Sequence, residues 1–479
     1  MTETNHKFMS GDHFSHYSAV YQDTPISDYA GNPLIEALPP LLSPEEGIAL
    51  LERRPQLPVE HELKQAAHIR LHYVGRLRDL VLSLPEYVNF EPYVALMIRQ
   101  GYIARNPLAD STWARIWRAN LNRSEEWRLP PHSKPAETIL FCGLSGTGKT
   151  TFITRLLSQY PQIIDHTQYK TKSMVLRQVS WLKIDCPKDG TPIGLCKNFF
   201  ASMDRLLGTR YSDQAYSRMT GPDYMNLMGR IATNHFLGVL VVDELQNLSV
   251  RKSGGEKGLL DQLAAMFEVL EIPIIYIGTP SVTRLFQKKL QNVRRSSSLG
   301  CHFFERPESS QDVHWVRFME QIWEYQWTST KTKLTPRLVQ LFFDHCQGIT
   351  FFAIAMFTQC QFRLIADDEA TAKIDKALLD DIAQRELLPL QPALKALRSN
   401  DQERLEAFED LICEIRQFGS LLEIPTHRSK GSARSADAKL TLRTPKIVTG
   451  ISRKSKAPDP DYLNALADSI PNDASEFKT

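Results

Sequence analysis

Long apolar runs are missing from this chain. No stretch approaches the roughly 20 uncharged apolar residues that cross a bilayer, and the opening MTETNHKFMSGDHF has neither the basic start nor the apolar core of a secretory leader. Both absences lead us to expect an intracellular protein with no membrane partner. Cysteine is sparse and unpatterned: seven occur (Cys142, Cys186, Cys196, Cys301, Cys346, Cys360 and Cys413), none in C-x-x-C spacing. That argues against a disulfide framework and a thiolate zinc site, and leaves the thiols as small hydrophobic fillers. Charge is nearly absent as a sum, +2 at pH 7, so its information lies in its distribution. No internal repeat is visible. The apolar fraction of 42% in 479 residues is ample for packed cores, and the length suggests about two to three domains.

What is present centres on Thr138 to Thr151, TILFCGLSGTGKTT. The apolar Ile139, Leu140, Phe141 and Cys142 stop at Gly143, pass through Ser145, Gly146, Thr147 and Gly148, and open on Lys149, Thr150 and Thr151 before an amphipathic FITRLL. A buried strand, a glycine-rich turn and a helix start are expected. In the pattern G-x-x-x-x-G-K-T the glycines let backbone N–H groups wrap phosphates without a Cβ in the way, the lysine reaches the β- and γ-phosphates, and the first threonine ligates Mg²⁺. Gly143, Ser145, Gly146, Thr147, Gly148, Lys149, Thr150 and Thr151 are therefore the expected nucleotide-binding set.

The third strand, the apolar GVLVV, ends in Asp243 and Glu244, which places both carboxylates at the carboxyl edge of a parallel sheet, where ligands of open α/β sheets bind. Asp243 with Thr150 is the expected metal pair, and Glu244 the general base that polarises the attacking water. The separation of Lys149 from Asp243 leaves room for a further strand and helix, which favours an ATPase of the additional-strand class over a simple nucleoside kinase. A fourth strand, IPIIYIG, runs into Thr279, where such an ATPase carries a polar side chain between the acidic ends and the γ-phosphate. Arg294 and Arg295, in QKKLQNVRRSSSLG before a fifth strand, are candidates for stabilising transition-state charge in a neighbouring subunit's site. Lys188 and the loop bearing Arg251, Lys252 and Lys257 are basic and could meet nucleic acid phosphates.

Organisation follows from composition and period. Residues 1 to about 33 read as a polar arm; Asn32 to Arg128 reads as a small helical module, with Ser43 and Pro44 as cap and first residue of a helix. A proline-rich linker, Leu129 to Ala136, precedes strands alternating with helices, the mark of a parallel sheet covered on both faces. Arg177 to Pro187 reads as one strand. Ser309 and Ser310 are expected caps for a helix with Asp312 in its first turn, and Thr335 with Pro336 opens another. Beyond Leu422 a basic block gives way to an acidic end with few large apolar residues, the composition of a disordered tail. The divisions are thus 1–128, 129–310, 311–422 and 423–479.

Taken together, VVDELQNLS (Val241 to Ser249), YIGTP (Tyr276 to Pro280), HCQGITFFAIAMFTQCQ (His345 to Gln361), NPLIEALPP (Asn32 to Pro40) and GYIARNPL (Gly101 to Leu108) resemble the AAA+ transposition regulators TnsC and TniB. The resemblance runs from about Tyr21 to Leu411. It implies a P-loop AAA+ parallel sheet with a helical lid, ATP and Mg²⁺ as cofactors, and a ring or filament of identical subunits on double-stranded DNA without sequence preference. It further implies a target-selector protein and transposase subunits as partners, and a bacterial, cytoplasmic, DNA-associated setting. Phe351 stands where many AAA+ lids carry an arginine. A helicase or initiator loader, and a switch that binds ATP without turnover, remain open alternatives.

Overall fold

The computed structural model describes residues 16–82, 90–121, 137–187, 190–215, 219–247, 272–282, 299–367 and 372–399. Among these residues eight strands form two sheets: β1 (His16–Ser18), β2 (Thr138–Gly143), β3 (Ile163–Tyr169), β4 (Lys172–Val179), β5 (Trp181–Asp185), β6 (Val239–Asp243), β7 (Ile274–Gly278) and β8 (Cys301–Phe304). The larger sheet is parallel throughout, in the order β5-β6-β7-β2-β8. β7 thus lies between the strand that enters the glycine-rich turn and the strand that ends in Asp243, as the additional-strand expectation requires. β2, β6 and β7 are buried at every residue, which is why each reads as an unbroken apolar run rather than an alternating one.

Alternation along these strands divides the interior. Leu140, Cys142, Leu182, Ile184, Leu240, Val242, Ile274 and Tyr276 pack with Leu195, Phe199, Phe200 and Met228 from the helices Pro192–Leu207 and Gly221–Asn234. Ile139, Phe141, Val239, Val241, Ile275 and Ile277 face the other way, onto Phe152, Ile153 and Leu156 of the helix Lys149–Leu157 and onto Val94, Met97, Ile98 and Tyr102 of the helix Glu91–Ile103. A helix from the N-terminal segment therefore covers one face of the nucleotide-type sheet.

A third core belongs to the helices Val313–Trp323, Pro336–Cys346, Thr350–Asp367, Lys376–Arg385 and Gln391–Ser399. It also contains Val74, Leu77 and Leu80, so residues expected to form a module of their own contribute to two cores. Polar ties reinforce the seam. Arg70 donates to the Trp327 carbonyl at 3.1 Å and to Ser329 Oγ at 3.0 Å, and Tyr325 Oη donates to the Pro55 carbonyl at 3.1 Å. Glu62 accepts from Arg76 Nη2 at 2.7 Å and from Trp327 Nε1 at 2.9 Å. No single helix among the described residues is long and apolar enough to cross a membrane.

Three local expectations need correction. Arg177 to Pro187 is two strands: β4 pairs antiparallel with β3 in a small sheet, and the chain changes sheets at Ser180. The hairpin turn carries Lys170 at φ +53, a position usually given to Asn or Gly, so no turn residue announces it. The described part of the N-terminal arm is structured: β1 adds in parallel to β3, and Tyr29 is buried. The helix after Pro307 starts at Val313 with Asp312 as its cap, accepting from the His314 N–H at 2.8 Å, because Ser310 is buried and engaged with Gln340. The expected caps Ser43 and Thr335 are present, Ser43 in a full capping box.

Burial alone would raise the Glu62 carboxyl, but the bonds from Trp327 and Arg76 hold it below its ordinary 4.5. A lowered carboxyl stabilises the fold above the unfolded value and loses that contribution as pH falls through the folded one. Glu62→Gln should therefore cost about 2 kcal/mol at pH 7. Its melting temperature should approach the wild type's as both are titrated from pH 7 to below 4.5; a gap independent of pH would contradict the assignment.

Candidate functional site

The glycine-rich turn is fixed by two kinds of constraint. Gly146 and Gly148 have φ of +86 and +93, a left-handed backbone that costs other residues about 1 kcal/mol or more. Gly143 is held by space, since a Cβ there would lie 2.7 Å from the Phe304 carbonyl oxygen on β8. Gly148 caps the helix Lys149–Leu157, so the free N–H groups of that helix open toward the turn. Lys149 is buried and donates to the carbonyls of Gly143 at 2.6 Å and Leu144 at 2.8 Å, bridging the turn from inside. Thr147 Oγ1 ties the same turn to the Leu144 carbonyl at 2.8 Å.

Across the sheet edge, Asp243 is buried and both its oxygens are engaged. Oδ1 accepts the Glu244 N–H at 2.8 Å, and Oδ2 lies 3.2 Å from Lys183 Nζ. Glu244 adopts φ +55, rare for a side chain of this size, and strain of that kind concentrates at functional sites. Its carboxylate accepts from Gln246 Nε2. Thr279, also buried, shares a 2.8 Å hydrogen bond with Ser281 Oγ. Ser145, Lys149, Thr150, Asp243, Glu244 and Thr279 line one narrow cleft together with Gln246 and Gly278. Residues up to 134 positions apart in sequence, from Ser145 to Thr279, thus meet at the carboxyl edge of three adjacent strands.

A neighbouring cavity of about 220 Å³ starts at Thr147 and is bounded by Arg306, Pro307, Trp315, Phe318, Gly348 and other residues from β8's exit and the lid. Its size and aromatic wall suit a nucleobase better than phosphates. Its walls come from the glycine-rich turn, the segment after β8 and two lid helices, which lie far apart in sequence. The lid also touches the turn directly: Thr350 Oγ1 and the Phe351 N–H both donate to the Gly146 carbonyl at 3.4 Å. Phe352 lies in the lid core, whereas Phe351 is exposed beside Gly146.

Not every expected residue joins this site. Thr151 is exposed on the first helical turn and lines neither cavity. Lys188, Arg251, Lys252, Lys257, Arg294 and Arg295 lie outside the described residues. Conversely, Lys183 and Gln246 were missed. Lys183 could have been suspected as an inward cation in the strand WLKID, two residues before its acidic end. Burial disfavours its charge, but Asp243 and Asp185 more than offset that and raise its pKa.

Gly146 offers a direct test of the lid contact. A Cβ there would lie 2.9 Å from Ile349 Cγ2, on a backbone already at φ +86. Gly146→Ala should lower the melting temperature and weaken binding of a fluorescent nucleotide by roughly tenfold. Ile349→Ala in the same chain should recover part of the binding loss, because it removes the clashing methyl; absence of any recovery would assign the whole effect to the turn.

Residues 132–286 match the model of a family described as AAA domain. No curated protein matches the chain. Among solved structures, the Aeropyrum pernix ORC1 protein in complex with DNA is 14% identical, with a TM-score of 0.38 over 59% of this chain and 67% of that one. CDC6P from Pyrobaculum aerophilum is also 14% identical, with a TM-score of 0.32 over 58% of this chain and 74% of that one. The Drosophila ORC bound to DNA gives 14% identity and a TM-score of 0.34 over 76% and 83%. With its sheet order, its phosphate-loop geometry and this match, the chain carries an AAA domain of AAA+ fold.

Proposed function

We propose that the protein is an ATP-hydrolysing AAA+ regulator of DNA transposition, assembling on double-stranded DNA and linking target selection to transposase activation. The observation that carries the ATPase part is the convergence of Lys149, Thr150, Asp243, Glu244 and Thr279 in one cleft. The transposition part is supported by the sequence resemblance of the acidic strand end, the sensor strand, the lid helix and the N-terminal segments to the TnsC and TniB regulators.

The residues fit a magnesium nucleotide on the geometry of the turn: left-handed glycines, a helix start and a buried lysine meet a hydroxyl and a carboxylate. Thr150 and Asp243 would hold Mg²⁺, which when bound supplies charge neutralisation on the phosphoryl oxygens. Lys149 leaves the Gly143 and Leu144 carbonyls for the β- and γ-phosphates, exchanging two neutral acceptors for a charged one. Glu244 takes the proton of the attacking water, with Gln246 orienting its carboxylate. Thr279 positions that water from the adjoining strand end. Arg294 or Arg295 neutralises developing charge in a neighbouring subunit's site. DNA is gripped by Lys188, Arg251, Lys252 and Lys257 through its backbone phosphates, which makes the binding insensitive to sequence.

ATPase rate and sedimentation should be measured with and without random-sequence duplex. The wild type should form large assemblies only with ATP and duplex, and Lys149→Ala should form none. Glu244→Gln should lower turnover roughly 10²–10³-fold while assemblies persist. Raising salt from about 50 to 200 mM should weaken duplex binding by on the order of 10³-fold if six or more phosphates are contacted. A chain that stays monomeric and ignores duplex while binding ATP would favour a nucleotide switch instead.

An arginine acting in trans predicts complementation. Arg294→Ala with Arg295→Ala, and separately Lys149→Ala, should each be inactive alone. Mixed, they should regain part of the turnover, because one supplies the nucleotide site and the other the arginine; no recovery at any ratio would remove the trans assignment.

A further inference from the structure

Lys183 stands in an unusual place. β5 and β6 run parallel with Asp185 opposite Asp243, and Lys183 opposite Val241, so the ammonium reaches forward along the sheet edge between two carboxylates. Nζ lies 3.2 Å from Asp243 Oδ2 and 3.0 Å from Asp185 Oδ1. The two acceptors are unequal: the Asp243 side chain is 3% exposed and the Asp185 side chain 65%. The other Asp243 oxygen, Oδ1, accepts the Glu244 N–H.

We infer that Lys183 is a positioning residue that competes with the metal for Asp243, with Asp185 as its second perch. The inference rests on the nucleotide-site reading above, which makes Asp243 a metal carboxylate. A divalent cation approaching Asp243 meets a carboxylate already facing one positive charge, so part of its attraction is cancelled. A buried carboxylate with no partner is costly, and Lys183 removes that cost before the metal arrives. When a cation takes Oδ2, the ammonium keeps Asp185 and is not stranded. The pair of carboxylates therefore makes the exchange reversible: the lysine stabilises the metal-free site and raises the cation concentration needed to fill it. Asp185 weakens that competition by offering the ammonium somewhere else to sit.

The probe is Mn²⁺, counted by electron paramagnetic resonance as it binds the full-length chain with excess ADP. Lys183→Met should lower the half-saturating Mn²⁺ roughly tenfold, a field effect of one nearby charge at partial burial. Lys183→Arg should restore it to within about twofold of wild type, since the charge is conserved. Asp185→Asn should shift it the opposite way, to higher Mn²⁺, and that shift should vanish when Lys183→Met is also present. The last comparison matters because a direct field of Asp185 on the metal would survive removal of the lysine.

A second arm needs no nucleotide. In chelator, Lys183→Met should melt below the wild type, and adding Asp243→Asn should close that gap by removing the uncompensated charge. Should Lys183→Met fail to fold, Lys183→Gln takes its place in both arms. Equal Mn²⁺ midpoints in wild type, Lys183→Met and Lys183→Arg, or a weaker midpoint in Lys183→Met, would overturn the competition and leave a structural ion pair. No Mn²⁺ binding by the wild type with ADP would instead remove the nucleotide reading, and the inference with it.

Discussion

The placement of β7 between β2 and β6 is the constraint on which the rest of the structure depends. With the two functional strands separated by one intervening strand, about 4.8 Å on either side, the phosphate turn and Asp243 face each other across the end of β7. Thr279 then falls between them without any dedicated loop. The parallel register does the rest, since every strand delivers its carboxyl end to the same edge. Burial on both faces locks that register, because slipping β6 by one residue would exchange Val241 for Val242 between two different cores.

The lid reaches this edge by an uncommon route. Where a lid arginine would address phosphate through its side chain, Phe351 offers only its backbone N–H, and the acceptor is the Gly146 carbonyl of the turn itself. Whatever moves the turn therefore moves the lid through main-chain atoms and through Ile349 packed on Gly146. At this junction the Thr350 hydroxyl, the Phe351 N–H and the packing of Ile349 all address Gly146, so the lid is keyed to the turn's shape.

Much of this was legible. β2, β6 and β7 read directly because doubly buried strands have no polar residues to interrupt them, and Ser43–Pro44 and Thr335–Pro336 mark helix starts because capping chemistry is local. The candidate site residues were legible because their signals are local too: Asp243, Glu244 and Thr279 follow strand ends, and Lys149 opens the helix after the glycine-rich turn. What escaped reading depends on space rather than neighbours in sequence. The β3–β4 hairpin is polar, with His166 buried against Tyr21 and Gln178, and its turn puts a lysine in a left-handed position. Lys183 has its meaning only once β5 is laid beside β6. The periodicity of residues 60–82 shows a buried face, but not that its cover is the helix Thr350–Asp367 rather than the sheet.

That last point has a mechanical side. Among the described residues, Leu51 and Phe90 lie with the sheet core and Leu63 and Leu82 with the lid core, and the chain crosses between the two again from Phe304 to Trp315. The N-terminal segment is thus shared between the two cores, with Val74 and Leu77 in one and Met97 and Tyr102 in the other. That stretch therefore works as a common strut: a void opened at Val74 in the lid core or at Met97 in the sheet core weakens the same segment.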